Sequence, residues 1–177
     1  GKSSLIMRYI NGTFQESMTA TVGAAHQQKT ISLYDQQVTL QIWDTAGQER
    51  YSNLAAMYYR QAQAVMLVWD ATKPETLAKA GQWITTMNQE IDIKNLVIVL
   101  VANKIDVIRS QTDVQFKMEE FMRKFPMVKA QFEVSAKAGT NVVAAYTYVA
   151  QQLQEKFGQV QKQSNAIDLN QKSPVAK

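Results

Sequence analysis

Four short strings of small and polar residues stand at intervals along the chain, and three of them directly follow a run of apolar residues. The strings are GKS at 1–3, DTAGQ at 44–48, NKID at 103–106 and SAK at 135–137. Folds that alternate strands with helices gather their ligands at the carboxyl ends of the strands. We therefore expect these strings to line one site at one edge of a sheet.

The apolar pattern of the sequence predicts alternating strands and helices. Strands are predicted at 28–34, 38–43, 64–69, 96–102 and 130–134, and helices at 4–10, 75–91, 114–124 and 141–157. A polar turn at Asp35, Gln36 and Gln37 joins the first two strands into a hairpin. The near-continuous apolar strands at 64–69 and 96–102 are typical of buried parallel strands. The predicted fold class is α/β, with a mostly parallel central sheet, helices on both faces and one antiparallel edge hairpin.

The composition is that of one globular domain. The 177 residues are 46% hydrophobic and 19% charged, and they include no cysteine. A chain without cysteine has no disulfides, no thiol nucleophile and no cysteine-rich zinc site. We assign a domain to residues 1–157 and a flexible polar tail to residues 158–177.

Charge and hydrophobicity limit the classes of partner. The net charge of +4 is spread along the chain, whereas nucleic-acid-binding domains carry a dense basic stripe. We therefore expect no nucleic-acid partner, while a weak attraction to a membrane surface stays open. No apolar run approaches the roughly 20 residues that span a bilayer.

The first string has the residues that a phosphate site at a helix start requires. The residues there are Gly1, Lys2, Ser3 and Ser4. Free N–H groups and the helix dipole attract phosphate, Lys2 adds a full charge, and the Ser3 hydroxyl can ligate Mg²⁺. A full phosphate-binding loop reads GxxxxGK[ST] after a strand. The strand and the first half of that loop are not in this sequence, so we expect either a fragment or a broken site.

The second string places Asp44 at the carboxyl end of an apolar strand, where a carboxylate can hold Mg²⁺ through water. Gly47 lets the backbone approach a γ-phosphate closely enough to donate an N–H. The Gln48 amide can orient an attacking water. The alternative interpretation is a polar turn after a strand, just as GKS alone is compatible with any helix start.

The third and fourth strings predict recognition of a guanine base. The Asp106 carboxylate can accept two hydrogen bonds from the adjacent N–H and NH₂ of guanine, and adenine has no such pair of donors. Asn103 can tie the neighbouring loops, and the Lys104 stem can cover the base. In the string Ser135, Ala136 and Lys137, the Ala136 N–H can reach the guanine carbonyl. A simple junction between a strand and a loop is the alternative for SAK.

With these motifs the chain resembles the Rab family of small GTPases from Gly1 to about Phe157. The segments LQIWDTAGQERY at 40–51 and MYYR at 57–60 are especially similar to that family. TVGAA and MYYRQAQA are most similar to its early-endosomal branch. The resemblance implies the P-loop small-GTPase fold.

The resemblance also implies roles for individual residues. Thr21 matches the switch threonine that ligates Mg²⁺ and senses the γ-phosphate, so the implied Mg²⁺ ligands are Ser3, Thr21 and Asp44. Phe14 matches the aromatic residue that packs against guanine, although aromatic residues are also common core residues. Gln48 becomes the catalytic residue that positions water.

The implied function is a molecular switch that binds GTP or GDP with Mg²⁺ and hydrolyses GTP slowly. Such a switch regulates vesicle trafficking, here at endosomal membranes, and moves between the cytoplasm and those membranes. Its implied partners are an exchange factor, a GTPase-activating protein and effectors. The resemblance further implies a monomer that reaches the membrane only through a lipid on C-terminal cysteines, which this sequence lacks.

The implied effector surface consists of Trp43, Tyr58 and His26. His26, the only histidine, stands where the family usually has phenylalanine, and Gln61 stands where it usually has glycine. A pH-sensitive effector surface is one hypothesis for His26, and an exposed neutral histidine is the alternative. For the whole chain, a nucleotide-independent interaction module on a damaged GTPase fold stays open, with a P-loop ATPase as a more distant interpretation.

Overall fold

The computed structural model describes residues 1–47 and 52–168. The described helices are α1 (Lys2–Asn11), α2 (Ser52–Tyr59), α3 (Glu75–Glu90), α4 (Gln111–Lys124) and α5 (Val142–Asp168). The described strands are β1 (Ala24–Leu33), β2 (Gln36–Thr45), β3 (Ala64–Asp70), β4 (Val97–Asn103) and β5 (Val128–Val134). Two short 3₁₀ helices cover Ile93–Asn95 and Ile105–Val107.

Strands β1 and β2 form the antiparallel hairpin that the sequence predicts. The turn consists of Tyr34 (φ 48°) and Asp35 (φ 63°), both in the left-handed region. Two such residues are typical of the tight hairpin turn whose twist matches that of the strands. The predicted turn at Asp35–Gln37 was placed too late, because Gln36 and Gln37 already pair with β1.

Strands β3, β4 and β5 form a parallel sheet with β4 in the centre. Every residue of β4 is buried, as expected for a parallel strand covered on both faces. In the register, Asp70 pairs with Asn103, and Asn103 pairs with Val134. The carboxyl ends of all three strands therefore meet at one edge of the sheet.

Helices cover both faces of this sheet. The face with Leu100 packs against α3 and α4, in a core that includes Trp69, Ile84 and Met118. On the other face, side chains from α1, β4, α5 and the hairpin form a second core. Its buried members include Leu5, Tyr9, Leu40, Val99, Val101, Tyr146 and Val149. The predicted α/β class with helices on both faces and one antiparallel hairpin is confirmed.

The last helix differs from the prediction. Helix α5 runs to Asp168, whereas the sequence predicted an end near Phe157 and a flexible tail from residue 158. The segment from Gln159 to Asp168 contains no proline or glycine, and its glutamines and lysine are good helix formers. The division into a domain at 1–157 and a tail at 158–177 stays a prediction, and residues 169–177 lie outside the described part.

A membrane-spanning segment would need a long apolar helix. Within residues 1–47 and 52–168, no helix combines the length and the hydropathy that crossing a bilayer requires.

The central strand allows a matched test of the packing. Val101 in β4 is fully buried, and Val143 in α5 is 62% exposed. We expect Val101→Ala to lower the free energy of unfolding by about 2–3 kcal/mol, because it removes buried methyl groups and leaves a cavity. Val143→Ala should change it by less than about 0.5 kcal/mol. Urea unfolding measures both, and equal effects would contradict the described core.

Candidate functional site

A cavity of about 720 Å³ lies at the edge where the strands end. Most of the residues that the sequence assigned to the site line it. These are Gly1, Lys2, Ser3, Ser4, Phe14, Thr21, Gly47, Asn103, Lys104, Asp106, Ala136 and Lys137. The side chains of Asp44 and Ser135 are buried behind this lining. The predicted catalytic residue, Gln48, lies outside the described residues.

The amino end of α1 lies at the cavity, and Lys2 is part of the cavity lining. Helix α1 begins at Lys2, directly after Gly1, so its first N–H groups and the lysine charge are in one place. Burial lowers the pKa of the Lys2 ammonium, and the Asp44 carboxylate opposes this shift. A Cβ atom on Gly47 would lie 2.8 Å from Lys2 Nζ. The 44–47 segment therefore approaches this cation closely, and a side chain at position 47 would displace the Lys2 ammonium.

Side-chain oxygens of Ser3, Thr21 and Asp44 lie together beside the amino end of α1. Ser3 Oγ and Thr21 Oγ1 are 2.9 Å apart, and Thr21 Oγ1 donates to Asp44 Oδ2 at 3.3 Å. The second carboxylate oxygen, Asp44 Oδ1, is buried and has no hydrogen-bond partner in the described part of the chain. Two hydroxyls and a carboxylate with an unsatisfied oxygen are the donors that Mg²⁺ prefers. The residues present therefore fit the implied ion.

The Asn103 side chain joins three loops around the cavity. Its Oδ1 accepts from the backbone N–H of Lys104 at 2.8 Å and of Ala136 at 3.1 Å. Its Nδ2 donates to Gly1 O at 3.4 Å. The side chain is buried, so these bonds are shielded from water and costly to lose.

Two of the predicted base contacts have partners within the protein. The Ala136 N–H, which the sequence analysis directed at a guanine carbonyl, donates to Asn103 Oδ1. Ser135 Oγ donates to Asp106 Oδ1 at 2.6 Å and accepts from Ala138 N at 2.9 Å. The bond from Ser135 fixes one oxygen of the Asp106 carboxylate. Asp106 is exposed and lies at the rim of the cavity.

Asp70 is a residue that the sequence analysis missed. Its Oδ2 lies 2.6 Å from Lys104 Nζ, and its Oδ1 accepts from the N–H and the hydroxyl of Thr72. Burial raises the pKa of Asp70, but the hydrogen bonds from Lys104 and Thr72 outweigh it and leave the pKa below its usual value. Like Asn103, Asp70 is the last residue of its strand, and that position was the available signal.

Phe14 combines the two roles considered for it. It is half-buried, packs against the core formed with α1 and α5, and also lines the cavity. The core interpretation is therefore confirmed by the packing, and contact of Phe14 with a bound base stays a prediction.

The three residues of the implied effector surface form one aromatic cluster. The ring centroids of His26 and Trp43 are 4.7 Å apart, and those of Trp43 and Tyr58 are 4.8 Å apart. Trp43 is 48% exposed, which is high for the largest apolar side chain. His26 Nε2 lies 2.5 Å from Gln41 Oε1 on the neighbouring strand.

Two comparisons with known proteins bear on the family of this chain. A family model described as "Ras family" matches residues 1–155. The chain is 39% identical to "Ras-related protein Rab5" of Nicotiana tabacum over 155 residues. The aligned residues cover 86% of this chain and 75% of that protein. The chain is a Rab-type member of the Ras family of small GTPases. This confirms the family resemblance, and members of this GTPase family generally bind GTP or GDP with Mg²⁺.

Asn103 provides the test of how this Rab-type site is held together. We expect Asn103→Ala to lower the free energy of unfolding by about 2–4 kcal/mol, because it leaves two backbone N–H groups without an acceptor. The matched variant Asn88→Ala, at an exposed position of α3, should change it by less than about 0.5 kcal/mol. Thermal or urea unfolding compares the two. A loss at Asn103 no larger than at Asn88 would contradict the joining role.

Proposed function

We propose that this chain binds GTP and GDP with Mg²⁺, hydrolyses GTP slowly, and acts as a switch in vesicle trafficking. One observation carries the proposal: the Lys2 end of α1, the oxygens around Asp44 and the Asp106 carboxylate surround the same cavity. These groups suit phosphate, a divalent cation and a base with two donors, respectively.

Base selection rests on Asp106. Ser135 holds one of its carboxylate oxygens, and this bond orients the carboxylate at the rim. The carboxylate accepts from the N–H and the NH₂ of guanine, whereas adenine leaves it facing an acceptor nitrogen. Lys104, whose ammonium is held by Asp70, lays its stem along the base, and Phe14 packs near it.

Phosphate binding rests on the start of α1. Lys2 and the first N–H groups of the helix bind the phosphate oxygens, and the approach of Gly47 brings another N–H to the terminal phosphate. Ser3, Thr21 and Asp44 would hold Mg²⁺. The ion would neutralise phosphate charge during hydrolysis.

The switch follows from where Thr21 and Gly47 lie. Thr21 contacts Ser3 and Asp44 through its hydroxyl, so the loop before β1 depends on the groups around the terminal phosphate. Loss of that phosphate removes a contact from both segments. Asp44 directly follows Trp43 in β2, which connects the cavity to the aromatic cluster of His26, Trp43 and Tyr58.

The proposed partners are an exchange factor, a GTPase-activating protein and effectors that bind the aromatic cluster. The resemblance to the "Ras-related protein Rab5" supports endosomal membranes as the place of action. We propose a monomer without a nucleic-acid partner. Movement between the cytoplasm and these membranes would require a C-terminal lipid anchor, and this sequence contains no cysteine to carry one.

Base specificity tests the proposal. In Asp106→Asn the carboxamide can pair with the two-carbonyl base xanthine and no longer accepts two hydrogen bonds from guanine. We expect the ratio of affinities for GDP and xanthosine diphosphate to fall by about 100-fold or more. Asp35→Asn, in the exposed hairpin turn, is the matched control and should leave the ratio unchanged. A ratio that Asp106→Asn does not move would overturn the assignment of the base site.

Hydrolysis has a separate test. Gln48→Leu removes the amide that orients water, so we expect single-turnover GTP hydrolysis to slow by about tenfold or more while GTP affinity stays within about threefold. Gln61→Leu, at an exposed position after α2, serves as the control. Equal hydrolysis rates in the wild type and Gln48→Leu would remove the catalytic role. Guanine-nucleotide binding without hydrolysis in the wild type would leave a binding protein only.

A further inference from the structure

The loop at 12–23 joins α1 to β1 and contains no helix or strand. Most of residues 14–21 line the cavity. Backbone hydrogen bonds hold both ends of the loop, at Gly12 and at Gly23. The loop therefore forms a wall of the cavity that is fixed at its two ends.

The middle of this loop has few polar contacts with the rest of the described chain. For residues 13–20, the hydrogen bonds and ion pairs among described residues are two side-chain contacts. Ser4 Oγ donates to Met18 Sδ at 3.4 Å, and a thioether sulfur is a weak acceptor. The other contact is an ion pair in which Lys137 Nζ lies 2.8 Å from Glu16 Oε1. The ion pair is therefore the stronger of the two contacts.

The Lys137 side of this ion pair is firmly held. Arg8 Nη2 donates to Lys137 O at 2.6 Å, and Arg8 Nε donates to Ala136 O at 2.8 Å. The donors of a guanidinium lie in one rigid plane, so two bonds to neighbouring carbonyls fix the orientation of the loop as well as its position. The Ala136 N–H is bound to the buried Asn103 side chain. Glu16 is thus the partner on the less constrained wall.

The ion pair lies at the opening of the cavity. Glu16 and Lys137 both line the cavity, and their side chains are 78% and 56% exposed. A side chain that lines a cavity and is largely exposed to solvent lies at its mouth. The two residues are 121 positions apart in the sequence. The pair therefore joins two walls of the cavity at the protein surface.

We propose that Glu16 and Lys137 form a gate, an ion pair that opens each time a guanine nucleotide enters or leaves the cavity. This inference rests on the proposed function and concerns the regulation of the same site. A contact between two protein segments that must break for passage in either direction slows association and release together. The dissociation constant then changes little, because it is the ratio of the two rates.

Charge without a gate would have a different effect on the two rates. Nucleotide phosphates are negative, so loss of the Glu16 charge alone should speed association and slow release. Loss of the Lys137 charge alone should slow association and speed release. Faster release after loss of the Glu16 charge is therefore the signature of the gate.

The test measures both rates for the wild type, Glu16→Gln, Lys137→Gln and the double variant. Stopped-flow mixing with N-methylanthraniloyl GDP in Mg²⁺ buffer gives the association rate, and a chase with excess unlabelled GDP gives the release rate. We expect Glu16→Gln to raise both rates by about threefold, a size typical of exposed ion pairs, with the dissociation constant within about twofold. The double variant should release GDP no faster than the faster single variant, because either change breaks the pair.

The matched control is Glu119→Gln, at an exposed position of α4. It makes the same change in net charge and should leave both rates unchanged. The difference in release rate between the wild type and Glu16→Gln should also shrink between about 50 mM and about 500 mM salt, because salt screens an exposed pair.

Four outcomes would overturn the gate. The first is release of GDP from Glu16→Gln at or below the wild-type rate, and the second is faster release with unchanged association, which would assign Glu16 to a contact with the nucleotide itself. The third is single-variant effects that add in the double variant, because the two residues would then act independently. The fourth is a wild-type chain that binds no guanine nucleotide, which removes the proposed function as well. GDP binding with unchanged rates in both single variants removes the gate alone.

Discussion

The arrangement of the site depends on the hydrogen bonds of the Asn103 side chain. Its carboxamide is buried and bonds to Gly1, Lys104 and Ala136, so the loops that follow β4 and β5 and the start of α1 share one set of hydrogen bonds. Buried hydrogen bonds of this kind are strongly directional and costly to break. A Cβ on Gly1 would lie 2.6 Å from Asn103 Nδ2, which shows how closely the backbone approaches.

The hydrophobic layers explain why Asn103 can hold this position. It is the last residue of β4, whose residues are all buried between helices on the two faces. The parallel register aligns Asp70 and Val134 beside it. Packing therefore fixes the strand ends, and the polar side chains at those ends fix the loops. The charged contacts Asp70 to Lys104 and Arg8 to the 135–137 loop then orient individual groups.

The strand ends could be predicted from the sequence because they follow from topology. Parallel strands end at one edge of a sheet, so the positions of Asn103 and Ser135 after apolar runs were sufficient to place them near one site. Asp44 lies on the antiparallel hairpin, which is a separate sheet, and its carboxylate meets the site through Thr21. The lining of the cavity agrees with that expectation for most assigned residues. Their chemical roles remain proposals, and Gln48 lies outside the described part of the chain.

Other features depend on contacts that no local pattern contains. Arg8 and Lys137 are 129 residues apart, and an arginine on an amphipathic helix is typical of a solvated surface. The partner of the Ala136 N–H and the length of α5 were also missed. The first depends on the Asn103 rotamer in the folded site, and the second depends on helix propensity in a polar segment that was interpreted as flexible.

The most direct test of this account is titration of the chain with GTP, GDP and ATP, with and without Mg²⁺. The account predicts binding of GTP and GDP that is at least about 100-fold tighter than binding of ATP and that weakens when Mg²⁺ is removed. Equal affinity for ATP would contradict the assignment of Asp106 to guanine. Binding of none of the three would contradict the nucleotide site and leave an interaction module built on the aromatic cluster.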